Sequence, residues 1–396
     1  MKISFENTEI AFAHKSNLDL RKAYRLFQAF GFSFIVNKGP KFANAALSLG
    51  LPIKGLIKNI IFSQFCGGET IAESYPSAKQ LYKNRIGAIL DYSVEGEGEG
   101  TGEDFAKAFG ELQKVIIEAT DKPEYPFAVF KCTGIGSFKM LENITNAMRE
   151  EENTTYRDDL DFQHFRSRFE ALCKLAYENN TKLFVDAEET WIQDAIDELT
   201  YQNMAIHNKE KAIVYNTIQL YRKERIPEMK FRIEEARIGE YKIGFKLVRG
   251  AYMEKEAERA LALGYENPIQ NSKKETDDDY DEAIRLCFEC RDVVSFCAGT
   301  HNEKSSLLLA QLIDEGDVEV NDDRFWFAQL YGMSDHISYN LAAAGYNVAK
   351  YLPYGPIKEV LPYLSRRAQE NSSVKGQASR ELNLIRQEIK RRKLAK

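Results

Sequence analysis

Cysteine is sparse in this chain. Six residues, at 66, 132, 173, 287, 290 and 297, are too few among 396 for a disulfide scaffold. A basic surplus is missing as well: 60 acidic against 54 basic side chains leave a net charge of −6 and a pI near 5.7. That balance excludes a dedicated nucleic-acid binder, whose phosphate contacts need a basic face. The opening MKISFENTEIAFAHKSN shows neither the basic-then-apolar layout of a secretory signal nor the arginine-rich, acid-poor character of a transit peptide. The longest apolar stretch, LSLGLPIKGLIKNIIFSQF (47–65), is interrupted by Pro52, Lys54 and Lys58, which argues against a spanning helix. Its Ile53, Ile57, Ile60, Ile61 and Phe65 fit one stripe of a packed amphipathic helix. The expectation is a reduced, cytoplasmic protein. What is present is core material, with 44% hydrophobic and 12% aromatic residues beside 29% charged ones, as in folded globular proteins that work on metabolites.

Two patterns divide the chain. The first 80 residues carry helical spacing and no β-type alternation; Asn17 is the expected cap of a helix bearing Leu20, Tyr24, Phe27 and Phe30. From about residue 85, eight apolar runs alternate with helical stretches. They are 87–95, 127–133, 183–188, 212–219, 244–252, 293–299, 325–332 and 348–355. Near-continuous apolar runs suit parallel strands buried on both faces, and eight of them suit a (β/α)8 barrel. An open doubly wound sheet would need a phosphate-binding glycine turn. The glycine-rich GEGEGTG (96–102) interleaves Glu97 and Glu99, which would repel phosphate, and reads as an acidic loop. The expected organisation is a helical lobe (1–82), a barrel (83–376) whose last helix caps the active site, and a basic amphipathic tail (377–396).

Functional side chains of a barrel gather where its strands end. Lys131, Asp186, Gln219, Arg249, Thr300, His301 and Tyr351 fall at such positions. Burying that many polar groups is costly unless they are paired or used. After the eighth run, YLPYGPIKEVLPYLSRRAQENSS (351–373) sets Tyr363, Arg366, Arg367 and Glu370 within two helical turns. Glu370 is spaced to hold one guanidinium while the other points elsewhere. A pair of planar guanidinium forks suits a carboxylate ligand, the alternative being a solvated basic helix face.

At these residues the sequence resembles a known family. KLVRGAYMEKE (246–256) followed by YLPYGPIKEVLPYLSRRAQENSS strongly resembles the proline dehydrogenases, FAD-dependent flavoenzymes. FVDAEET (184–190), TIQLYRK (217–223), GTHN (299–302) and QLYGM (329–333) extend the resemblance in the family's order over roughly residues 85–375. It implies a distorted (β/α)8 barrel with FAD held non-covalently and L-proline stacked on the flavin. The reaction it implies is oxidation to Δ1-pyrroline-5-carboxylate, the first step of proline catabolism to glutamate, with electrons passed to a quinone. Arg366 and Arg367 match the family's carboxylate-binding arginines and Lys131 their lysine partner. Leu330, Tyr351 and Tyr363 match residues that enclose the ring. Ala187, Gln219, Val248, Gly250, Ala251, Thr300, His301 and Glu370 match flavin-binding positions. Asp186, Lys246 and Arg249 complete the catalytic group implied by the resemblance. Some bacterial members carry Arg at the Lys246 position and Lys at the Arg249 position, which leaves open which of the two meets the flavin N5 region.

Other readings stay beside this one. Cys287, Cys290, Cys297 and His301 invite a zinc site, set against small buried hydrophobes and a flavin-contacting histidine; the expectation is no metal. His14, His164, His207 and His336 show no partner pattern and are expected on surfaces or helices. Glu95 is a candidate gate that pairs with Arg366 across a 96–102 hinge, against a plain loop acid. Leu382, Ile385 and Ile389 line one face of the tail, either as a solvated surface helix or as a basic helix resting on an anionic membrane where the quinone lies. Peripheral association with the inner membrane and oligomer formation are both left open. The chain reads as a monofunctional proline dehydrogenase. Hydroxyproline oxidation, an inactive amino-acid-binding barrel and an aldolase-type barrel using Lys131 as a Schiff base are the alternatives.

Overall fold

The computed structural model describes residues 3–30, 61–93, 100–150, 159–373 and 377–394. Eight strands follow one another in chain order around a closed parallel barrel: β1 (Ile86–Tyr92), β2 (Phe127–Lys131), β3 (Lys182–Asp186), β4 (Val214–Gln219), β5 (Ile243–Val248), β6 (Val294–Gly299), β7 (Phe325–Leu330) and β8 (Val348–Tyr354). The helices around them are α1 (Thr8–Phe12), α2 (Asn17–Phe30), α3 (Ile71–Tyr82), α4 (Gly102–Ala119), α5 (Phe138–Arg149), α6 (Leu160–Glu178), α7 (Thr190–His207), α8 (Arg225–Ile238), α9 (Met253–Leu263), α10 (Lys273–Glu289), α11 (Glu303–Glu315), α12 (Asp335–Ala343), α13 (Ile357–Ser373) and α14 (Gln377–Leu394). Every expected apolar run is a strand, though several strands stop short of their runs. β1 ends at Tyr92, β3 at Asp186 and β5 at Val248. After β5 the chain turns through Gly250, whose φ of +131° no side-chain-bearing residue adopts readily.

Contacts divide the chain into two compact units, residues 96–327 and residues 1–95 with 328–396. In the first, side chains alternate along each strand, so Phe184 shares a face with Asp186, and Tyr215 shares one with Thr217 and Gln219. Aromatic rings fill the early strand positions. Phe127 stacks on Phe184 at 4.2 Å and meets Tyr215 and Trp326 edge-on at 5.6 and 5.2 Å. The Phe127, Phe184 and Tyr215 rings, fully buried, each contribute roughly 1.5–3 kcal/mol. Gly244 is part of this packing, because a Cβ there would lie 2.6 Å from the Tyr215 ring. Register then sets Lys131 beside Asp186 and Gln219 beside Val248 at the strand ends.

In the second unit, β1 and β8 pair from Ile86↔Val348 to Tyr92↔Tyr354. Phe12, Leu20 and Phe27 share a core with Val360, Leu364, Leu384 and Ile385. Three expectations are corrected here. The cap of α2 is Ser16 rather than Asn17: the Ser16 hydroxyl accepts from the Asp19 N–H, and the Asp19 carboxylate accepts from the Ser16 N–H and hydroxyl. His14 is neither on the surface nor in a helix, whereas His336 lies on a helix as expected. His14 stacks on Tyr339 at 4.0 Å beside Asp335, and His336 is buried within α12. The tail helix α14 is not a free surface helix, because Leu384 and Ile385 are fully buried and Leu382 and Ile389 pack on the same core. Its buried Glu388 gathers Arg391 and Arg392. Of the 47–65 stretch only residues 61–65 are described, where Phe62 and Phe65 are buried. Among the described residues no helix is long and apolar enough to cross a membrane.

Candidate active site

Strand ends of the 96–327 unit carry a connected set of charged and polar groups. Asp186 closes β3 and accepts a hydrogen bond from the Lys246 ammonium of β5; both are buried. The same ammonium lies 5.6 Å from the centre of the Phe184 ring. A buried ion pair is tolerated only when each charge has its partner, as here. Lys131, half-buried, ends β2 next to Asp186.

The loop after β3 ties three strand ends together through one residue. Glu188, two residues beyond Asp186, accepts from the Thr133 N–H at 3.0 Å and from the Thr133 hydroxyl, which fixes the turn after Lys131. Its own N–H donates to Gln193 at 2.7 Å, and its carbonyl accepts from the Gln219 amide at 2.9 Å. Burial pushes the Glu188 carboxyl up to about 7, against the Thr133 bonds and the charge of Lys131, which favour the anion. Gln219 is buried too, and among the described residues its Oε1 accepts no hydrogen bond. Sequence reading passed over Glu188, which stands as one of two adjacent glutamates in FVDAEET.

Arg249, after β5, is anchored on three sides. Nε donates to Asp277 at 2.6 Å, Nη1 to the Thr300 hydroxyl at 2.7 Å and Nη2 to the Ser305 hydroxyl at 3.0 Å, with the guanidinium 4.2 Å from the Tyr280 ring centre. Thr300 follows β6 and also accepts from the Asn302 N–H. His301 and Val248 are half-buried, as is Ala187, while Ala251 is exposed. A Cβ on Gly250 would lie 2.4 Å from the Tyr221 ring, so the main chain runs close against that side chain. Cys287 and Cys297 are buried, in α10 and β6. Among the described residues no group of three or more His, Cys, Asp and Glu is arranged for a metal ion.

In the unit of residues 1–95 and 328–396, Tyr351 is buried on β8 and its carbonyl accepts from the Tyr331 N–H at 2.8 Å. Leu330 ends β7, half-buried against the helical core. On α13, Tyr363 and Arg367 are buried, with the Arg367 guanidinium 5.0 Å from the Tyr363 ring centre, and Arg366 is half-buried one residue before. Glu95 and the glycine-rich residues 96–99 lie outside the described residues, as does the side chain of Glu370.

Comparison with known proteins gives this arrangement a family. The model of the proline dehydrogenase family matches residues 75–380. The chain belongs to the proline dehydrogenase family. Proline dehydrogenase 1, mitochondrial, of Dictyostelium discoideum is 32% identical, over 98% of this chain and 74% of its own. A hydroxyproline dehydrogenase of Xenopus laevis is 28% identical, over 96% of this chain and 88% of its own. Among solved structures, proline utilization A from Bdellovibrio bacteriovorus superposes with a TM-score of 0.71 at 18% identity; it covers 92% of this chain, which spans 38% of that longer one. The likeness to that solved structure concerns the fold alone. As a proline dehydrogenase family member the chain is an oxidoreductase, and the family's matched region takes in every strand and α13.

Proposed function

We propose that this chain oxidises L-proline to Δ1-pyrroline-5-carboxylate with a non-covalently bound FAD, electrons passing on to a quinone. The observation that carries the reading is the set of charged and polar strand-end residues within a chain matched to the proline dehydrogenase family over 75–380. The strand ends suit the cofactor. Gln219 Oε1 is a buried acceptor facing no donor among the described residues, which fits an N–H edge such as that of an isoalloxazine. Gln219, Thr300 and His301 would hold the flavin, together with the main chain of Val248, Gly250 and Ala251, and Lys246 and Arg249 supply positive charge. Bound there, FAD would accept the hydride from the ring carbon next to nitrogen.

The chain's own part is to bind, orient and bias. Resemblance assigns the substrate carboxylate to Arg366 and Arg367 with Lys131 as a further cation, and the ring to Leu330, Tyr351 and Tyr363. Gathered on one carboxylate as the resemblance implies, these cations would favour the neutral amine, whose lone pair stabilises the developing iminium. Asp186 holds the Lys246 ammonium in place. A second reading, 4-hydroxyproline oxidation, draws on the likeness to the Xenopus laevis hydroxyproline dehydrogenase. Tyr351 speaks against it, because in the family a tyrosine there fills the space that a 4-hydroxyl needs.

An absorbance spectrum of the purified protein, before and after anaerobic L-proline, tests both cofactor and substrate. Flavin bands that bleach with proline support the reading. Bands that persist with proline and bleach with 4-hydroxyproline select the second, and a colourless protein that takes up no added FAD rejects both.

A further inference from the structure

The loop after β7 is gripped at successive residues by side chains remote from it in sequence. The Gly332 carbonyl accepts from Gln64 Nε2 at 2.8 Å. The Met333 carbonyl accepts from Lys350 Nζ at 2.7 Å, with the Leu330 carbonyl at 3.5 Å from the same ammonium. The Ser334 N–H donates to the Glu381 carboxylate of α14. Asp335 pairs with Lys350 at 2.9 Å and Lys15 at 3.2 Å, and His14 Nε2 lies 3.5 Å away. Lys350 is fully buried in the middle of β8.

An ordinary turn does not need this much hardware. The loop is strained: Gly332 has φ +78° and Ser334 φ +52°, and a Cβ at position 332 would lie 2.0 Å from the Gln64 carbonyl. A serine held in the left-handed region is strained and persists only where its surroundings fix it. A buried ammonium is costlier than an apolar strand residue unless it is paired. Both costs fall between Leu330 and Tyr351, the residues assigned to the substrate ring. The grip also extends outward. Arg392 of α14 donates to the carbonyls of Lys15 at 2.8 Å and Phe12 at 2.7 Å, pinning the turn that presents His14 and Lys15 to Asp335.

We propose that this clamp positions Leu330 and Tyr351, so that discrimination between proline and its 4-hydroxylated analogue depends on Lys350, Lys15 and Glu381. These are positioning residues, and the inference rests on the functional reading above. Residues on either side of the barrel in sequence would thereby set ring selectivity through a strained loop.

The test compares Lys350→Met, Lys15→Met and Glu381→Leu in the full chain. Each variant is assayed for kcat and KM with L-proline and trans-4-hydroxy-L-proline, and amide hydrogen exchange over 330–335 is followed without substrate. Expected for Lys15→Met and Glu381→Leu are a proline KM raised roughly 3- to 10-fold with kcat within about twofold, and a proline-to-hydroxyproline kcat/KM ratio about tenfold lower. Exchange at 331–335 should be at least about tenfold faster, and Lys15→Arg should restore all three. Should Lys350→Met not fold, the other two variants decide, since each leaves the Lys350–Asp335 pair intact. An unchanged ratio with unchanged exchange overturns the clamp, as does a parallel loss of kcat and folded protein at unchanged KM. A wild-type chain that oxidises neither substrate overturns the functional reading instead, and exchange alone then decides the clamp.

Discussion

Asp335 follows β7 and Glu188 follows β3, and both carboxylates are buried, yet their surroundings treat the negative charge oppositely. Around Asp335, burial works against ionisation, but the ammoniums of Lys350 and Lys15 and the His14 imidazole overcome it and hold the carboxyl well below its ordinary value. Around Glu188 the direct partners are the hydroxyl and N–H of Thr133, and these do not offset burial; the carboxyl rises to about 7. Depth alone therefore does not set the charge of a buried acid. A cation within bonding distance decides it. Asp335 is a fixed anion that bolts a loop, whereas Glu188 changes charge near neutrality.

The sharpest way to break this contrast is Asp335→Ala. It leaves Lys350 buried without its carboxylate, at a cost of roughly 3–5 kcal/mol by urea unfolding at pH 7. Because the folded pKa of Asp335 is depressed, its stabilisation is present above the ordinary value of 3.8 and is lost as pH falls. The gap between wild type and variant should therefore close in acid; a gap that stays constant would mean Asp335 is no fixed anion. Glu188→Gln has a smaller effect of opposite pH dependence. Its folded pKa is raised, so the wild-type contribution is complete below the ordinary 4.5 and is lost as pH climbs through about 7. Relative to wild type the glutamine variant should gain on the order of 1–3 kcal/mol between pH 5 and pH 9, and a flat difference would show that Glu188 does not titrate. Thr133→Val is the mildest change, costing about 1 kcal/mol. Loss of its hydroxyl should move the Glu188 titration upward in a carboxyl-resolved NMR experiment, and a downward movement would contradict the assigned bond.

The barrel was legible because each strand is an apolar run long enough to be buried on both faces. Strand-end residues were legible because an ionisable side chain closing such a run has no packing reason to be there; Lys131, Asp186 and Arg249 stand out in this way. Glu188 did not, since a glutamate beside another glutamate looks like solvated loop until the fold turns its carboxylate onto Thr133. The clamp was harder still. Gln64, Lys350 and Glu381 meet consecutive residues of one loop from widely separated sequence positions. Only Lys350 left a local trace, as a lone ammonium inside the apolar run VAKYLPY. His14 was misplaced for the same reason, because its contacts with Asp335 and Tyr339 come from a helix distant in sequence.

Near neutral pH the folded protein holds a fractional proton at Glu188. Gln219 is bonded to that residue's own carbonyl, so a molecule that docks on Gln219 alters the surroundings of an acid pushed up to about 7. Docking is then coupled to proton traffic with the solvent. If FAD binds as proposed, the calorimetric heats of its uptake in phosphate and in Tris should differ by the difference between the two buffers' ionisation heats multiplied by the protons exchanged. The uptake is expected to act as a small acid–base reaction in its own right.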